Sequence, residues 1–158
     1  MKKNLISYKD IATIPEGYVY KSPKIKSRYL WTLFFGFLTG DLNPVHINIF
    51  TYKKYKSKLG GLSRHGISTI AQAESFIFKI FTFIEPTEII AQGYNVIRYL
   101  APIHIGDTIE YSYTLVSKKI SEEKESAKCT WLIVGTNQIG KQVFTCEWVV
   151  LYYKIERV

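Results

Sequence analysis

The segment GISTIAQAESFIFKIFTFI, residues 66–84, constrains this chain more than any other stretch. Projected at about 100° per residue, Ser68, Gln72, Ser75, Lys79 and Thr82 fall on one narrow polar stripe. Ile67, Ile70, Ala71, Ile77, Phe78, Phe81 and Ile84 spread over a broad apolar arc. A helix so apolar has to be covered on most sides, so the rest of the chain must supply the cover. Glu74 falls in the middle of the arc, where an unpaired charge is expensive. Two readings of it stand: a carboxylate hydrogen-bonded to a neighbouring strand, or a polar group on the wall of a ligand cavity beside the helix.

Past Glu85-Pro86 the periodicity changes from helical to alternating. An extended run from Glu88 to Leu100 comes first; then Ile109, Tyr111, Tyr113 and Leu115 alternate with Thr108, Glu110, Ser112 and Thr114, the period of a strand with one buried face. The charged turn SEEKES, a strand from Ala127 to Val134, the Gly-containing turn NQIGK and a strand with Phe144, Cys146, Trp148, Val150 and Tyr152 on one face complete an antiparallel meander. One long helix followed by such strands predicts an α+β fold, a sheet wrapped around the helix, with strand order left open by the pattern. A turn tip at Ile139-Gly140 places Cys129 opposite about residue 150, not opposite Cys146, which argues against a cross-strand disulfide. Both cysteines read as reduced, buried thiols, with no CxxC spacing for zinc or redox chemistry.

At 158 residues with 47% hydrophobic content, the chain is long and apolar enough for one core, so a single domain over 1–158 is expected, with residues 1–28 outside the clearest pattern. The start lacks an apolar stretch long enough for a signal peptide, and no segment approaches the length of a membrane span; a cytoplasmic protein without membrane insertion is the expectation. The net charge of +8 gathers in Lys21, Lys24, Lys26, Arg28 and in Lys53, Lys54, Lys56, Lys58. Such a field favours an anionic partner, although solvated lysines explain it equally well. Helix-turn-helix, zinc-finger and RNP-type motifs are all missing, so nucleic acid is not the expected partner.

The run TGDLNPVHIN, residues 39–48, crowds an acid, an amide, a proline and a histidine together. Pro44 disfavours helix at Asn43 and is suited to opening a short helix that carries His46. An acid and an imidazole on either side of such a turn can converge on one small volume, where they could activate a water and return its proton. Asp or Asn before Pro is also a common turn or N-cap, and a lone histidine is commonly structural, so spacing alone leaves both readings open.

The wider stretch LFFGFLTGDLNPVHIN, followed by LGGLSRHGI, resembles the hydratase-2 motif of the MaoC-like dehydratases, the family of (R)-specific enoyl-CoA hydratases. Matching positions are Gly40, Asp41, Asn43, Pro44, His46, Gly60, His65 and Gly66; APIHIGDTIEYSYTLVSKK at 101–119 and NQIGKQVF resemble later segments of the same family. The resemblance implies a hotdog fold, an antiparallel sheet wrapped round one long helix, in a homodimer or higher homo-oligomer whose sheets join edge to edge. It implies that Asp41 and His46 hold the catalytic water or accept its proton. Under it, Asn43, Ser63 and His65 support the site, and the Gly66 N–H binds the thioester oxygen. That last role has a physical basis, because helix amino ends present unpaired N–H donors and partial positive charge.

The substrate would be an acyl thioester on CoA or on the phosphopantetheine of an acidic carrier protein, with no metal and no separate cofactor. Glu74 would stand near the acyl tunnel as a pocket wall. Asn48 replaces the family's frequent second Asp, Leu59 replaces Phe, Ser63-Arg64 replace Ile-Ala, and Arg98 stands near, not at, the family's Arg position. These departures touch the pocket wall more than the proton-transfer pair. A non-catalytic acyl-thioester-binding hotdog protein, which Arg64 and Glu74 would permit, and a hotdog acyl-CoA thioesterase are the alternatives. The intact Asp-x-Asn-Pro-x-His argues against the second.

Overall fold

Strand and helix signals of the sequence meet in one arrangement, seen in a computed structural model that describes residues 4–6, 8–51, 60–83 and 87–154. In chain order the elements are β1 (Asn4–Ile6), α1 (Tyr8–Thr13), β2 (Val19–Lys21), β3 (Ile25–Lys26), α2 (Tyr29–Thr39) and α3 (Pro44–Ile47), then a 3-10 turn at Ile49–Thr51. The second half contains α4 (Gly66–Ile80), β4 (Phe81–Phe83), β5 (Thr87–Tyr99), β6 (Thr108–Ser121), β7 (Ser126–Asn137) and β8 (Gln142–Lys154). The main sheet is antiparallel, in the order β2-β6-β7-β8-β5, with β3 also pairing with β6. This is the α+β hotdog arrangement expected from the sequence.

Alternation along the long strands decides which face meets the helix. Ile109, Tyr111, Tyr113 and Leu115 on β6 are fully buried, as are Trp131 and Ile133 on β7, and Phe144, Cys146, Trp148, Val150 and Tyr152 on β8 are buried with them. The face is largely aromatic, and two of its polar tips find partners: Tyr113 donates to the Ala73 carbonyl of α4 at 2.7 Å, and Trp131 Nε1–H donates to the Tyr152 hydroxyl at 3.1 Å. From α4, Ile70, Ala73, Phe76 and Ile77 join this core, with Phe76 stacked on Tyr111 at a ring separation of 6.1 Å. Cys129 pairs in register with Val150, as the turn predicts, and both thiols are free.

Two expectations change. The helix ends at Ile80, and Phe81–Phe83 leave it as a strand running parallel to β1; a Phe-Thr-Phe run favours extended backbone. The buried face is also rotated from the expected arc: Ile67 is 57% exposed and Ala71 is exposed, whereas Ser68 is 0% exposed. Ser68 goes inside because Arg64 does, the guanidinium donating to the Ser68 hydroxyl and carbonyl. Helix α2, formed by the aromatic run before the DLNPVH loop, has no counterpart among the sequence expectations. Leu30, Trp31, Phe34, Phe37 and Leu38 of α2 are exposed, and Thr32 and Gly36 are buried. Ile84, Leu59, the Lys53-Lys54-Lys56-Lys58 cluster and the Glu85-Pro86 boundary lie outside the described residues, as do the side chains of Phe78, Lys79, Phe81 and Thr82. Among the described residues, no helix is long and apolar enough to cross a membrane.

Strand β5 is covered differently from its neighbours. Ile97 and Tyr99 pair with Cys146 and Phe144 and so project to the helix side of the sheet, yet they are 40% and 52% exposed. Among the described residues only β8 pairs with β5, so its far edge carries open backbone groups.

Burial pushes the thiols of Cys129 and Cys146 up to about 12. The native protein should therefore leave both thiols unmodified by Ellman's reagent at pH 8, and both should react in denaturant; one fast native thiol would contradict the packing. Because the folded-state values are raised, the stability they contribute is present below the ordinary thiol value of 9.0 and is lost as pH climbs from there toward about 12.

Candidate active site

The DLNPVH loop is built by local hydrogen bonds that its own residue types supply. Gly40 closes α2 in the left-handed region at φ 77°, turning the chain into Asp41. Asp41 Oδ1 accepts from the Asn43 N–H at 3.3 Å, and Asn43 Oδ1 caps α3 by accepting from the Val45 N–H at 3.2 Å. Pro44 opens α3, which carries His46 on its only turn. The phenol of Tyr29 donates to the Ile47 carbonyl at 2.6 Å and fastens α3 to the start of α2.

Two imidazoles then meet the acid. His46 Nδ1 is 2.8 Å from the Ser63 carbonyl. A carbonyl only accepts, so that nitrogen carries the proton and Nε2 keeps its lone pair. This Nε2 lies 4.0 Å from Asp41 Oδ2. His65 Nε2–H donates to the main-chain carbonyl of Asp41 at 2.9 Å, with Asp41 Oδ2 3.8 Å away. The two ring centroids lie 4.1 Å apart with their planes tilted by 37°, and the Phe35 ring of α2 lies 5.2 Å from that of His65. His65 is 1% exposed, while the Asp41 side chain is 50% exposed and the His46 side chain 16%. The pair with free acceptor atoms, Asp41 and His46, therefore faces accessible space, and His65 sits behind it.

Asp41, His46 and His65 also bring three potential metal-ligand atoms within 4.8 Å of one another. The His65 Nε2 lone pair is not available, because that nitrogen donates to the Asp41 carbonyl. Among the described residues this leaves two ligand atoms, fewer than the three or four protein ligands of a zinc site.

Residues 62–64 run beside 103–105 and deliver α4 to this loop: the Arg64 N–H donates to the Ile103 carbonyl at 2.9 Å and the Ile105 N–H to the Leu62 carbonyl at 3.0 Å. Gly66 opens the helix, and its first-turn N–H has no intrahelical acceptor. An open cavity of about 280 Å³ lies there, lined by Ser63, Gly66, Thr69, Tyr99, Leu100 and Val143 among others. A Cβ on Gly66 would come within 3.0 Å of the Tyr99 ring, so glycine keeps the aromatic wall against the helix end. Ser63 supports the site through its backbone, accepting from His46 and donating to the Val45 carbonyl at 3.2 Å.

The sequence-identified residues Asp41, Asn43, His46, Ser63, His65 and Gly66 thus gather within a few bonds of one another. Glu74 stands apart: it accepts a hydrogen bond from the Tyr94 hydroxyl of β5 and does not line this cavity, which is the strand-bonded reading of that carboxylate. His104 packs against Gly60 and reaches Asp107 Oδ2 at 3.7 Å. Missed by the sequence was Gly36, where a Cβ would lie 2.9 Å from the Asp41 carbonyl oxygen. A lone glycine within the apolar run LFFGFL was its signal.

The chain thus combines a hotdog sheet, an acid and a histidine on the loop before the helix, and an open helix end. The MaoC like domain family model matches residues 15–135, and the chain belongs to that family, the MaoC-like dehydratases. Curated protein sequences yield no match. Among solved structures, the monoamine oxidase regulatory protein of Archaeoglobus fulgidus superposes with a TM-score of 0.80 at 24% identity, covering 99% of each chain. The MaoC-like dehydratase of Rhodospirillum rubrum gives 0.72 at 19% identity over 93% of this chain and 98% of the other. The unliganded R-hydratase PhaJ1 of Pseudomonas aeruginosa gives 0.68 at 18% identity over 93% and 91%. Identities this low establish a shared fold.

The Gly36 contact can be tested directly. Gly36→Ala should destabilise the protein by about 1–3 kcal/mol through overpacking against the loop, measured by urea denaturation at fixed protein concentration. An unchanged midpoint would mean that α2 does not press on Asp41.

Proposed function

We propose that this protein is an (R)-specific enoyl-thioester hydratase, or in reverse a 3-hydroxyacyl-thioester dehydratase, acting on CoA-bound or carrier-bound acyl chains. The observation that carries the reading is the Asp41–His46 pair, with an imidazole lone pair 4.0 Å from a carboxylate oxygen, beside the open amino end of α4. That separation is too long for a direct hydrogen bond, and a water about 2.8 Å from both atoms fits beside the line joining them. His46 Nε2 accepts a proton from this water as its oxygen bonds Cβ of the enoyl thioester, and the proton is returned to Cα. Asp41 holds the water and balances the imidazolium formed in between. The Gly66 N–H takes the thioester oxygen, on which negative charge grows as the enolate forms. Hydration is redox-neutral, so the reaction asks for no redox cofactor. Lys21, Lys24, Lys26 and Arg28 suit the phosphates of CoA or an acidic carrier.

The uncovered inner face and open edge of β5 support association with a second copy of the chain through that strand. The purified protein should run as a dimer or larger in light scattering. Ile97→Asp, which places a charge on the uncovered face, should shift it toward monomer.

Activity is tested by adding crotonyl-CoA and longer enoyl-CoAs and following the loss of conjugated-thioester absorbance. Asp41→Asn and His46→Ala should each lower kcat by about 10²–10⁴. Wild-type protein without turnover across the chain-length panel, and indistinguishable from both variants, would remove the hydratase reading. Thiol release from saturated acyl-CoA would point instead to a thioesterase, and binding without turnover to an acyl-thioester carrier or scaffold.

A further inference from the structure

Arg64 is 4% exposed, and among the described residues no carboxylate pairs with it. Its guanidinium instead wraps the first turns of α4. Nε–H donates to Ser68 Oγ at 3.1 Å, Nη2–H to the Ser68 carbonyl at 2.7 Å, and Nη1–H to Gln72 Oε1 at 2.7 Å. The Tyr111 hydroxyl donates to the same Gln72 oxygen at 3.1 Å and completes the anchor.

The hydrogen bonds continue in one direction. Ser68, itself 0% exposed, donates its hydroxyl proton to the His65 carbonyl at 2.7 Å, and the Ser68 main-chain N–H donates to that carbonyl at 3.1 Å. The His65 carbonyl and the Gly66 N–H belong to one peptide unit. Donors on the oxygen draw density from nitrogen through the conjugated amide and make the N–H a stronger donor. A hydroxyl that is accepting from a cation donates more strongly in turn. Arg64 Nε–H, Ser68 Oγ–H and the His65–Gly66 peptide therefore form a relay from a buried positive charge to the helix-end N–H on the cavity wall.

We propose that Arg64 and Ser68 are positioning residues for the thioester: they fix and polarise the His65–Gly66 peptide, so that the Gly66 N–H holds the enolate oxygen more strongly than the ground-state carbonyl. The assignment rests on the hydratase reading of Gly66. It accounts for an arginine where the resembling family usually has alanine, and for a serine buried on the helix side that periodicity assigned to the polar stripe. Because the oxygen carries more negative charge in the transition state than in the bound substrate, the relay acts on kcat more than on affinity.

Ser68→Ala removes the hydroxyl and leaves both Nη donors of Arg64 their acceptors. It should lower kcat for crotonyl-CoA hydration about tenfold and leave the Kd of unreactive butyryl-CoA within about twofold. Ser68→Thr, which keeps a hydroxyl, should recover most of the loss. Arg64→Met combined with Ser68→Ala should be no more than about twofold slower than Ser68→Ala, since the guanidinium acts through the serine. Independently of turnover, the Gly66 amide nitrogen resonance should move upfield in Ser68→Ala, and Arg64→Met provides the same reading if the alanine variant does not fold.

A folded Ser68→Ala with wild-type kcat, or an unmoved Gly66 resonance, overturns the proposal. So does a parallel fall of kcat, affinity and Tm that threonine does not rescue, which marks a structural role. A wild type without hydratase activity whose Gly66 resonance still shifts counts against the hydratase reading and supports the polarised peptide.

Discussion

The hydrogen bond from His65 Nε2–H to the main-chain carbonyl of Asp41 joins the two halves of the site. On one side hang α2, the Gly40 turn and the capped α3; on the other, the helix that fills the sheet. Without the bond, the acid would be held to the helix start only from the α3 side, through the Ser63 contacts to His46 and Val45. The bond also sets chemical roles. It occupies His65 as a donor, while the Ser63 carbonyl leaves His46 with its lone pair toward the carboxylate. Gly36 is what allows it, because only a residue without Cβ lets α2 approach the Asp41 carbonyl so closely.

Much of the fold was legible because β6, β7 and β8 each have one buried face alternating with a more exposed one. Ile109, Tyr111, Tyr113 and Leu115 alternate in sequence and lie buried in structure, and the turn at Ile139-Gly140 correctly set Cys129 against Val150. The helix was legible in its existence but not in its rotation or its end. Periodicity weighs Ser68 as polar and Ile67 as apolar, and has no means of knowing that a buried guanidinium will claim the serine. Phe81–Phe83 read as helix by their apolarity, and pairing with β1 drew them into a strand. Helix α2 hid in an aromatic run whose outer residues remain exposed.

The site followed the same division. The local signals, Pro44 after a capping Asn43 and a histidine one turn on, predicted α3 and its geometry directly. What sequence could not supply were the long-range contacts: the Ser63 carbonyl that selects the His46 tautomer, and the tyrosine that donates to Glu74. Those partners are 17 and 20 residues away along the chain, and no periodicity connects them.

Tyr99 and Leu100 have two positions at once. They form part of the cavity wall next to Gly66; Tyr99 ends β5 on the helix-side face that this chain leaves uncovered, and Leu100 follows it directly. A substitution at either residue reshapes the pocket and the open strand end together. Under the proposed function, the fit of the acyl chain and the contact between copies would therefore be set by the same two residues.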